Sequence, residues 1–479
     1  SVPGSVPIGL MRPNDKDAYP WGVRAMRRRN LVSFILIVGL LTVAGFLSVV
    51  PGGEAVTELT ELTYSPEERH RICEEIWEKI GLWYSYFDDK GIDWESVRQC
   101  YLHQVAGVES DYEFFVSMSA LVRELDDGHS YMCDYPRQVS SARGRPRIHI
   151  AETEGKPIVA KVAFGSDAEA QGIVPGLTIL SVDGEPSKER INRLVPRVHS
   201  STPWHRRSVA VAAVLEGDLD EQVKVELESR DGKVFSLRLL REPFVAEPMA
   251  ITAAVLDGDI GLLTLPSFSA SRLGLKSGDD LVKAFDAALE QLREMKALII
   301  DMRGNGGGDD RVAQRCAGRF FTSSVAFPGF QMRMVTLGKP WFAPRIGRTV
   351  SPRGEWQYSG PVVLLIDEFV ISSAEHFVAG MHDSGRATTI GHTTAGSSGN
   401  PIRLEVSGFK FQVSRWREYR ADGSLIEGQG VPADISVSPT VDDIAGCIDR
   451  ALICAVDYLK SYLSRSSMRG NIPDMESAA

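Results

Sequence analysis

The sequence predicts an α/β core, with a helical region before it and a small β-rich region beside it. Apolar runs without a helical period indicate buried strands at residues 260–265, 297–302 and 361–366. An amphipathic helix at residues 281–292 lies between two of these runs, and such alternation is typical of α/β proteins. Residues 60–125 carry apolar residues at a spacing of three and four, which predicts helices.

Composition excludes several classes of protein. The 479 residues are enough for two or three domains, and 43% hydrophobic with 24% charged residues is ordinary for a globular protein. A net charge of −10, without a basic stripe, argues against nucleic-acid binding. The six cysteines lie far apart and include no C-x-x-C pair, so we predict no metal site and no other cofactor.

The N-terminal segment carries a membrane signal. Residues 31–50 form a run of twenty uncharged residues. As a helix, a run of this length would span a hydrocarbon core of ~30 Å. A cleaved signal peptide is the alternative, although its apolar region is usually about 7–15 residues long. Arginines at 24 and 27–29 would hold residues 1–30 in the cytoplasm as a tail and place the rest of the chain outside.

The helical region, assigned to residues 51–142, ends in a turn that carries a histidine. Asp126-Asp127-Gly128-His129-Ser130 follows the last helical run, and Asp-Gly is a turn signal. His129 is therefore expected just beyond a helix end and not on a core face.

A serine follows the strand predicted at residues 361–366. Ser372-Ser373-Ala374-Glu375 opens an amphipathic helix, and the next strand begins at Ala387. Hydrolases place a nucleophile at such a strand-to-helix turn, where backbone N–H groups favour an oxyanion. Serine is also a common helix N-cap, so this segment alone leaves both interpretations open.

A glycine-rich loop follows the strand predicted at residues 297–302. Residues 303–308 read RGNGGG, and three consecutive glycines let backbone N–H groups approach a ligand closely. A phosphate loop is disfavoured because no G-K-[ST] follows and because Asp309 and Asp310 would repel phosphate.

Together these motifs resemble the tail-specific (C-terminal processing) protease family and its tricorn-like branch. The matching segments are DMRGNGGG at 301–308, SSAE at 372–375 and GRATTIGHTTAG at 385–396, and the resemblance covers roughly residues 60–463. It implies a crotonase-like β-superhelix as the catalytic core, at residues 246–463, followed by a polar tail at 464–479. It also implies an inserted PDZ-like domain at residues 143–245, where GSDA, GIVPG and ILSVDG segments occur.

The resemblance also assigns roles to residues. It implies Ser372 as nucleophile, His129 as general base, Glu427 as the acid that orients the base, and the N–H groups of Gly306, Gly307 and Ser373 as oxyanion donors. His376 and His392 remain alternative bases, because His376 lies four residues after Ser372 and His392 at a strand end.

Two positions near the expected catalytic residues depart from the family pattern. Most members activate the serine with a lysine where this chain has Ser397, and no lysine occurs between residues 340 and 409, so a Ser–Lys dyad is excluded. The tricorn-like branch has a serine before the base histidine, whereas this chain has Gly128.

These observations predict a membrane-anchored serine endopeptidase that acts on protein or peptide substrates outside the cytoplasm, with oligomer formation possible. A non-catalytic member of the same fold, which would hold a peptide or an apolar ligand in the cleft, is the main alternative. A PDZ scaffold with a vestigial hydrolase is a third interpretation.

Overall fold

A computed structural model describes residues 61–136, 143–244, 248–256 and 259–469. The predicted cytoplasmic tail at 1–30 and the predicted anchor at 31–50 lie outside these described residues. Within the described ranges, no helix combines the length and apolar character needed to cross a membrane.

The N-terminal region is helical, as predicted. Its helices are α1 (Pro66–Trp83), α2 (Phe87–Lys90), α3 (Trp94–Ala106) and α4 (Asp111–Arg123). They bury one apolar cluster together with strand β20 (Phe409–Ser414), whose Phe409 and Phe411 are fully buried. Strand β1 (Tyr131–Asp134) follows α4 and pairs with β20, with Tyr131 opposite Gln412, and β20 also pairs with β19 (Pro401–Val406). This pairing fixes the turn that carries His129 against a segment far away in the sequence.

A second region contains mainly antiparallel strands. Its main sheet has the order β3 (Ile148–Thr153), β4 (Lys156–Val162), β5 (Thr178–Val182), β8 (Gln222–Glu228), β9 (Val234–Leu240), with β6 (Glu185–Pro186) paired to β5. Helices α5 (Asp167–Ala170), α6 (Ser187–Leu194) and α7 (Pro203–Ala212) accompany it, and α7 packs against β3. Short strands β2 (Arg143–Arg145), β7 (Gly217–Asp218) and β10 (Glu242–Pro243) form a separate small sheet.

The central sheet places two loops at one edge. Its order is β11 (Thr252–Val255), β12 (Ile260–Thr264), β13 (Ala297–Asp301), β17 (Val362–Ile366), β18 (Ala387–Gly391), β22 (Ile435–Ser436). All neighbours after β11 run parallel, so the glycine-rich loop after β13 and the serine turn after β17 lie at the same edge. Ligands bind at this carboxyl edge in open α/β sheets.

Helices α8 (Gly278–Glu290), α9 (Asp310–Ala317) and α10 (Ser373–Asp383) enclose the apolar core beside the central sheet. A further sheet contains β14 (Val325–Thr336), β15 (Lys339–Phe342), β16 (Ile346–Val350) and β21 (Trp416–Tyr419). The mixed α/β class predicted from the sequence is confirmed.

One predicted element was wrong. The apolar spacing of residues 443–463 predicts a single closing amphipathic helix, but the chain forms α11 (Val441–Ala445) and α12 (Arg450–Arg469). Gly446 ends α11 and Cys447 adopts a left-handed φ of 52°, a conformation that stops a helix. Helix α12 also continues beyond residue 463, so the first residues assigned to the polar tail are helical.

Candidate active site

Ser372 has a backbone conformation that an ordinary helix cap does not have. Its φ is 63° and its ψ is −127°. Four other described helices begin after a serine, at Ser65, Ser110, Ser166 and Ser277, and all four have negative φ with ψ between 159° and 163°. A non-glycine residue in the Ser372 conformation costs about 1–3 kcal/mol, and such strain concentrates at functional sites. The conformation matches the sharp strand-to-helix turn that presents a nucleophilic serine.

The glycine-rich loop packs directly on Ser372. A Cβ atom added to Gly307 would lie 2.9 Å from the Ser372 Cβ and 2.7 Å from the Ile371 carbonyl oxygen, and Gly307 has a φ of +83°. Both the space and the backbone angle therefore require glycine. Asn305 ties the two loops together, because its carbonyl oxygen accepts from the Ile371 N–H at 3.0 Å and its Nδ2 donates to the Leu265 carbonyl oxygen at 2.8 Å.

The three predicted oxyanion donors differ in their availability. The Gly307 N–H already donates to Asn305 Oδ1 at 2.9 Å. The N–H groups of Gly306 and Ser373 donate to no acceptor within the part of the chain that the structure describes. Ser373 is also the first residue of α10, where the helix dipole favours negative charge. Gly306 and Ser373 are therefore the better placed pair.

Glu375 joins the serine turn to the loop after β18. Its carboxylate accepts from the Ser372 N–H at 3.3 Å, the Gly396 N–H at 2.7 Å, the Ser397 N–H at 2.8 Å and the Thr394 hydroxyl at 2.5 Å. Burial raises the pKa of Glu375 to about 8, although these hydrogen bonds oppose the rise. This single buried side chain sets the distance between the two segments.

His129 is buried, and its turn is held from three sides. Its backbone N–H donates to Asp127 Oδ1 at 2.7 Å, and its carbonyl oxygen accepts from Gln412 Nε2 at 2.9 Å. The preceding Gly128 N–H donates to Ser201 Oγ at 3.0 Å. The imidazole Nδ1 lies 2.9 Å from Ser397 Oγ. Burial lowers the pKa of His129, although the charges of Asp127 and Glu418 act in the opposite direction.

Ser397 connects the predicted nucleophile to the predicted base. The Ser372 N–H donates to the Ser397 carbonyl oxygen at 3.0 Å, and the Ser397 hydroxyl contacts the His129 ring. Within the described residues, no hydrogen bond joins Ser372 to His129 directly. Catalytic hydrogen bonds in free enzymes are often long and tighten only with substrate, so the two groups remain compatible with proton transfer.

Glu427 lies near this turn but has other partners. Its carboxylate accepts from Lys90 Nζ at 2.7 Å and from the Ser398 N–H at 2.9 Å. Burial raises the pKa of Glu427 to about 7, whereas Lys90 and a hydrogen bond from Ser201 act to lower it. The direct contact with His129 that an orienting acid would make is not among the hydrogen bonds of the described residues.

The His376 ring is bonded to residues outside the nucleophile turn. Its Nδ1 lies 2.8 Å from Glu418 Oε1 and its Nε2 lies 3.0 Å from Gln314 Nε2. Asp310, His376 and Glu418 are close enough to hold a metal ion, but Arg348 lies among them at 2.8 Å from Asp310 and 3.2 Å from Glu418. The guanidinium supplies the positive charge that an ion would bring, so the cluster does not fit a metal site.

His392 follows β18, and its Nε2 lies 3.3 Å from Ser438 Oγ. This contact joins two loops at the end of the sheet.

Sequence reasoning overlooked two residues that build this site. Glu375 was visible as the third residue after a serine at a helix start, which is a capping-box signal, but it received no role. Ser397 was noted only for the lysine it replaces. No local signal could have shown its contact with His129, which lies 268 positions away in the sequence.

A strained serine at a helix N-terminus, packed against a glycine loop and linked through Ser397 to a buried histidine, is the arrangement of a serine-type hydrolase. Residues 259–437 match Peptidase family S41, and residues 65–122 match the Tricorn protease C1 domain. The chain therefore carries a Peptidase family S41 domain and is similar to the tail-specific and C-terminal processing proteases, and it is a serine-type peptidase.

Similar proteins support this assignment. The carboxy-terminal processing protease CtpA of Bacillus subtilis is 23% identical over 361 residues, which cover 73% of this chain and 69% of that protein. The tail-specific protease of Haemophilus influenzae is 27% identical over 349 residues, covering 68% of this chain but only 46% of that protein. In fold, the chain is similar to mature CPAF complexed with lactacystin, with a TM-score of 0.67, 15% identity, and coverage of 83% of this chain and 97% of that one.

Proposed function

We propose that this protein is a serine endopeptidase that cleaves extracytoplasmic proteins or peptides, with Ser372 as nucleophile and His129 as general base. The backbone of Ser372, strained beside the glycine-rich loop, is the observation that carries the proposal. An N-cap with no catalytic role would have no need of this conformation, since the four other serine caps avoid it.

The proposed reaction uses side chains and N–H groups of this chain together with one water molecule. His129 Nε2 takes the proton of the Ser372 hydroxyl while Ser372 Oγ attacks the carbonyl carbon of the scissile peptide bond. The N–H groups of Gly306 and Ser373 stabilise the oxyanion, each contributing roughly 10²–10³ in rate. His129 then gives the proton to the leaving amine, and a water molecule releases the acyl group by the same steps.

Glu427 enters this proposal as a positioning residue. Ser201 bonds to Glu427 and accepts from the Gly128 N–H, so the carboxylate supports the His129 turn through one intervening residue. The salt bridge to Lys90 at 2.7 Å fixes Glu427 against the helical region.

We also propose that residues 143–245 form a PDZ-like domain inserted into a crotonase-like core. The sheet with β3 at one edge and α7 packed beside it supports this, because PDZ domains add a peptide strand to an exposed sheet edge.

Labelling with a fluorophosphonate probe tests the function, because the probe reacts only with an activated serine. We expect labelling of the wild-type protein and none of Ser372→Ala. The matched control is Ser277→Ala, which removes another serine helix cap, costs about 1 kcal/mol of stability and should keep labelling. A folded wild-type protein that stays unlabelled would favour the non-catalytic, ligand-binding alternative.

A further inference from the structure

Gly128 and Ser397 share one small space beside the His129 ring. A Cβ atom at Gly128 would lie 2.5 Å from Ser397 Oγ and 3.3 Å from Ser397 Cβ. Gly128 is not among the residues with positive φ, so its backbone angle does not require glycine. The Ser397 hydroxyl occupies that space instead, so a side chain at position 128 would force this hydroxyl away from its position beside the His129 ring.

We propose that Ser397 is the positioning residue that holds His129 in its catalytic tautomer. The Nδ1–H of the neutral ring donates to Ser397 Oγ, which leaves the Nε2 lone pair free to take the Ser372 proton. The partner of one ring nitrogen decides which nitrogen carries the proton in a neutral histidine. This proposal rests on the proposed function in one respect, namely that His129 is the base.

The backbone of Ser397 is fixed on both sides, which makes its hydroxyl a rigid partner. Its N–H donates to Glu375 Oε2 at 2.8 Å, and its carbonyl oxygen accepts from the Ser372 N–H at 3.0 Å. The residue is fully buried. A shift of the serine turn would therefore also move Ser397, which contacts the imidazole. In this way Ser397 maintains the position of Ser372 relative to His129.

Within the described residues, no other group takes this role. Asp127 bonds to the backbone of His129 and not to its ring, and Glu427 is engaged by Lys90, Ser398 and Ser201. A hydroxyl is neutral, so in the proposed arrangement it accepts from the ring Nδ1–H without adding charge. Burial accordingly lowers the pKa of His129, although the charges of Asp127, Glu418 and Asp310 oppose the fall.

The tautomer can be read directly by ¹⁵N NMR of histidine-labelled protein, with His129→Ala identifying the signal. We expect wild-type His129 to carry its proton on Nδ1 at neutral pH, and Ser397→Ala to shift the proton partly or wholly to Nε2. The matched control is Ser398→Ala, which removes a neighbouring buried hydroxyl that bonds to Glu418 at 2.5 Å and should leave the His129 tautomer unchanged. In kinetics, Ser397→Ala should lower kcat by about 10–100-fold, part of the usual contribution of a general base, with KM within about twofold.

An exchange of the two side chains provides a second test. Gly128→Ser alone should be inactive because of the collision with Ser397. Combining it with Ser397→Gly frees the space and returns a hydroxyl to it, so the double variant should regain the Nδ1–H signal and exceed the kcat of Ser397→Gly alone.

The proposal is overturned if Ser397→Ala keeps the Nδ1–H tautomer, whatever its activity, or if the double variant folds without recovering that signal. The NMR result does not depend on turnover. An active His129→Ala would therefore reject the proposed base while leaving the tautomer assignment to be judged separately.

Discussion

At the scale of single residues, the proposed mechanism depends on the backbone conformation of Ser372 and on the His129 ring. A φ of 63° at a serine is retained only when the surrounding structure imposes it. Here the glycine loop on one side and the Glu375 carboxylate on the other impose it. The strained backbone therefore lowers the stability of the fold while it positions the Ser372 hydroxyl. This loss of stability can be measured.

Replacing Ser372 by glycine should stabilise the fold. Glycine adopts positive φ without strain, so Ser372→Gly should be more stable than Ser372→Ala by about 1 kcal/mol, although both variants are inactive. The measurement is urea unfolding of the two variants. As a control, Ser277→Gly should be no more stable than the wild-type protein, because Ser277 has an ordinary φ of −151° and its side chain caps the helix, whereas Ser372→Gly should exceed the wild type. Equal stability of the two Ser372 variants would show that the backbone is not strained.

The buried position of His129 predicts the acid side of the pH profile. Burial lowers the pKa of His129 below its usual value of 6.5, so the neutral ring, which is the form that accepts a proton, persists to lower pH. We expect kcat/KM to rise with pH through an apparent pKa below 6.5 and to be nearly complete at neutrality. A profile over pH 4–8 with its midpoint above 7 would exclude this environment for the base.

At the scale of elements, Glu375 makes helix α10 a clamp between two loops. One carboxylate in the first turn holds the Ser372 N–H and the loop that carries Ser397. Helix α10 therefore also sets the position of Ser397, the residue that contacts His129.

Glu375→Gln should break this clamp. A glutamine presents an NH₂ group to backbone N–H donors, and an unpaired buried polar group costs about 1–3 kcal/mol. We expect lower stability and a fall in fluorophosphonate labelling of at least about tenfold. Glu68→Gln is the matched control, because Glu68 holds the same capping-box position in α1 but is exposed, and it should change neither property appreciably. Normal labelling of Glu375→Gln would remove Glu375 from the site.

The elements and the catalytic motifs could largely be predicted from the sequence because their signals are local. Apolar runs indicated β13 and β17, and Asp-Gly placed His129 beyond a helix end. The features that the sequence did not reveal depended on long-range contacts or on one backbone angle. Lys90 Nζ donates to the carboxylate of Glu427, which lies 337 positions away in the sequence. Cys447 adopts a left-handed backbone conformation that divides the closing helix into two.

At the scale of the whole molecule, segments that are distant in the sequence form one site. The β-rich region contributes directly, since Thr202 Oγ1 donates to the Ala395 carbonyl oxygen at 2.7 Å and Trp204 Nε1 donates to the Thr394 carbonyl oxygen at 2.9 Å. Ser201 meanwhile holds the Gly128 N–H. These contacts place the segment before and within α7 against both the histidine turn and the loop after β18.

The proposed membrane anchor predicts the orientation of the whole chain. If residues 31–50 span the membrane with the arginine-rich end inside, protease added to intact cells or spheroplasts should digest residues beyond 60 and spare residues 1–30. Immunoblotting with antibodies against each end provides the measurement, and a cytoplasmic protein serves as the control for lysis. A catalytic region protected until the cells are lysed would contradict the proposed location.

We propose that His129 activates Ser372, and the decisive measurement is kcat/KM of His129→Ala on a fluorescently labelled unfolded protein. Nucleophile and base act as one unit, so His129→Ala should lose activity about as completely as Ser372→Ala. His376→Ala, measured beside it, should lose stability through its contacts with Glu418 and Gln314 but keep most of its turnover. Near-normal turnover by His129→Ala, or a folded but inactive His376→Ala, would contradict the account.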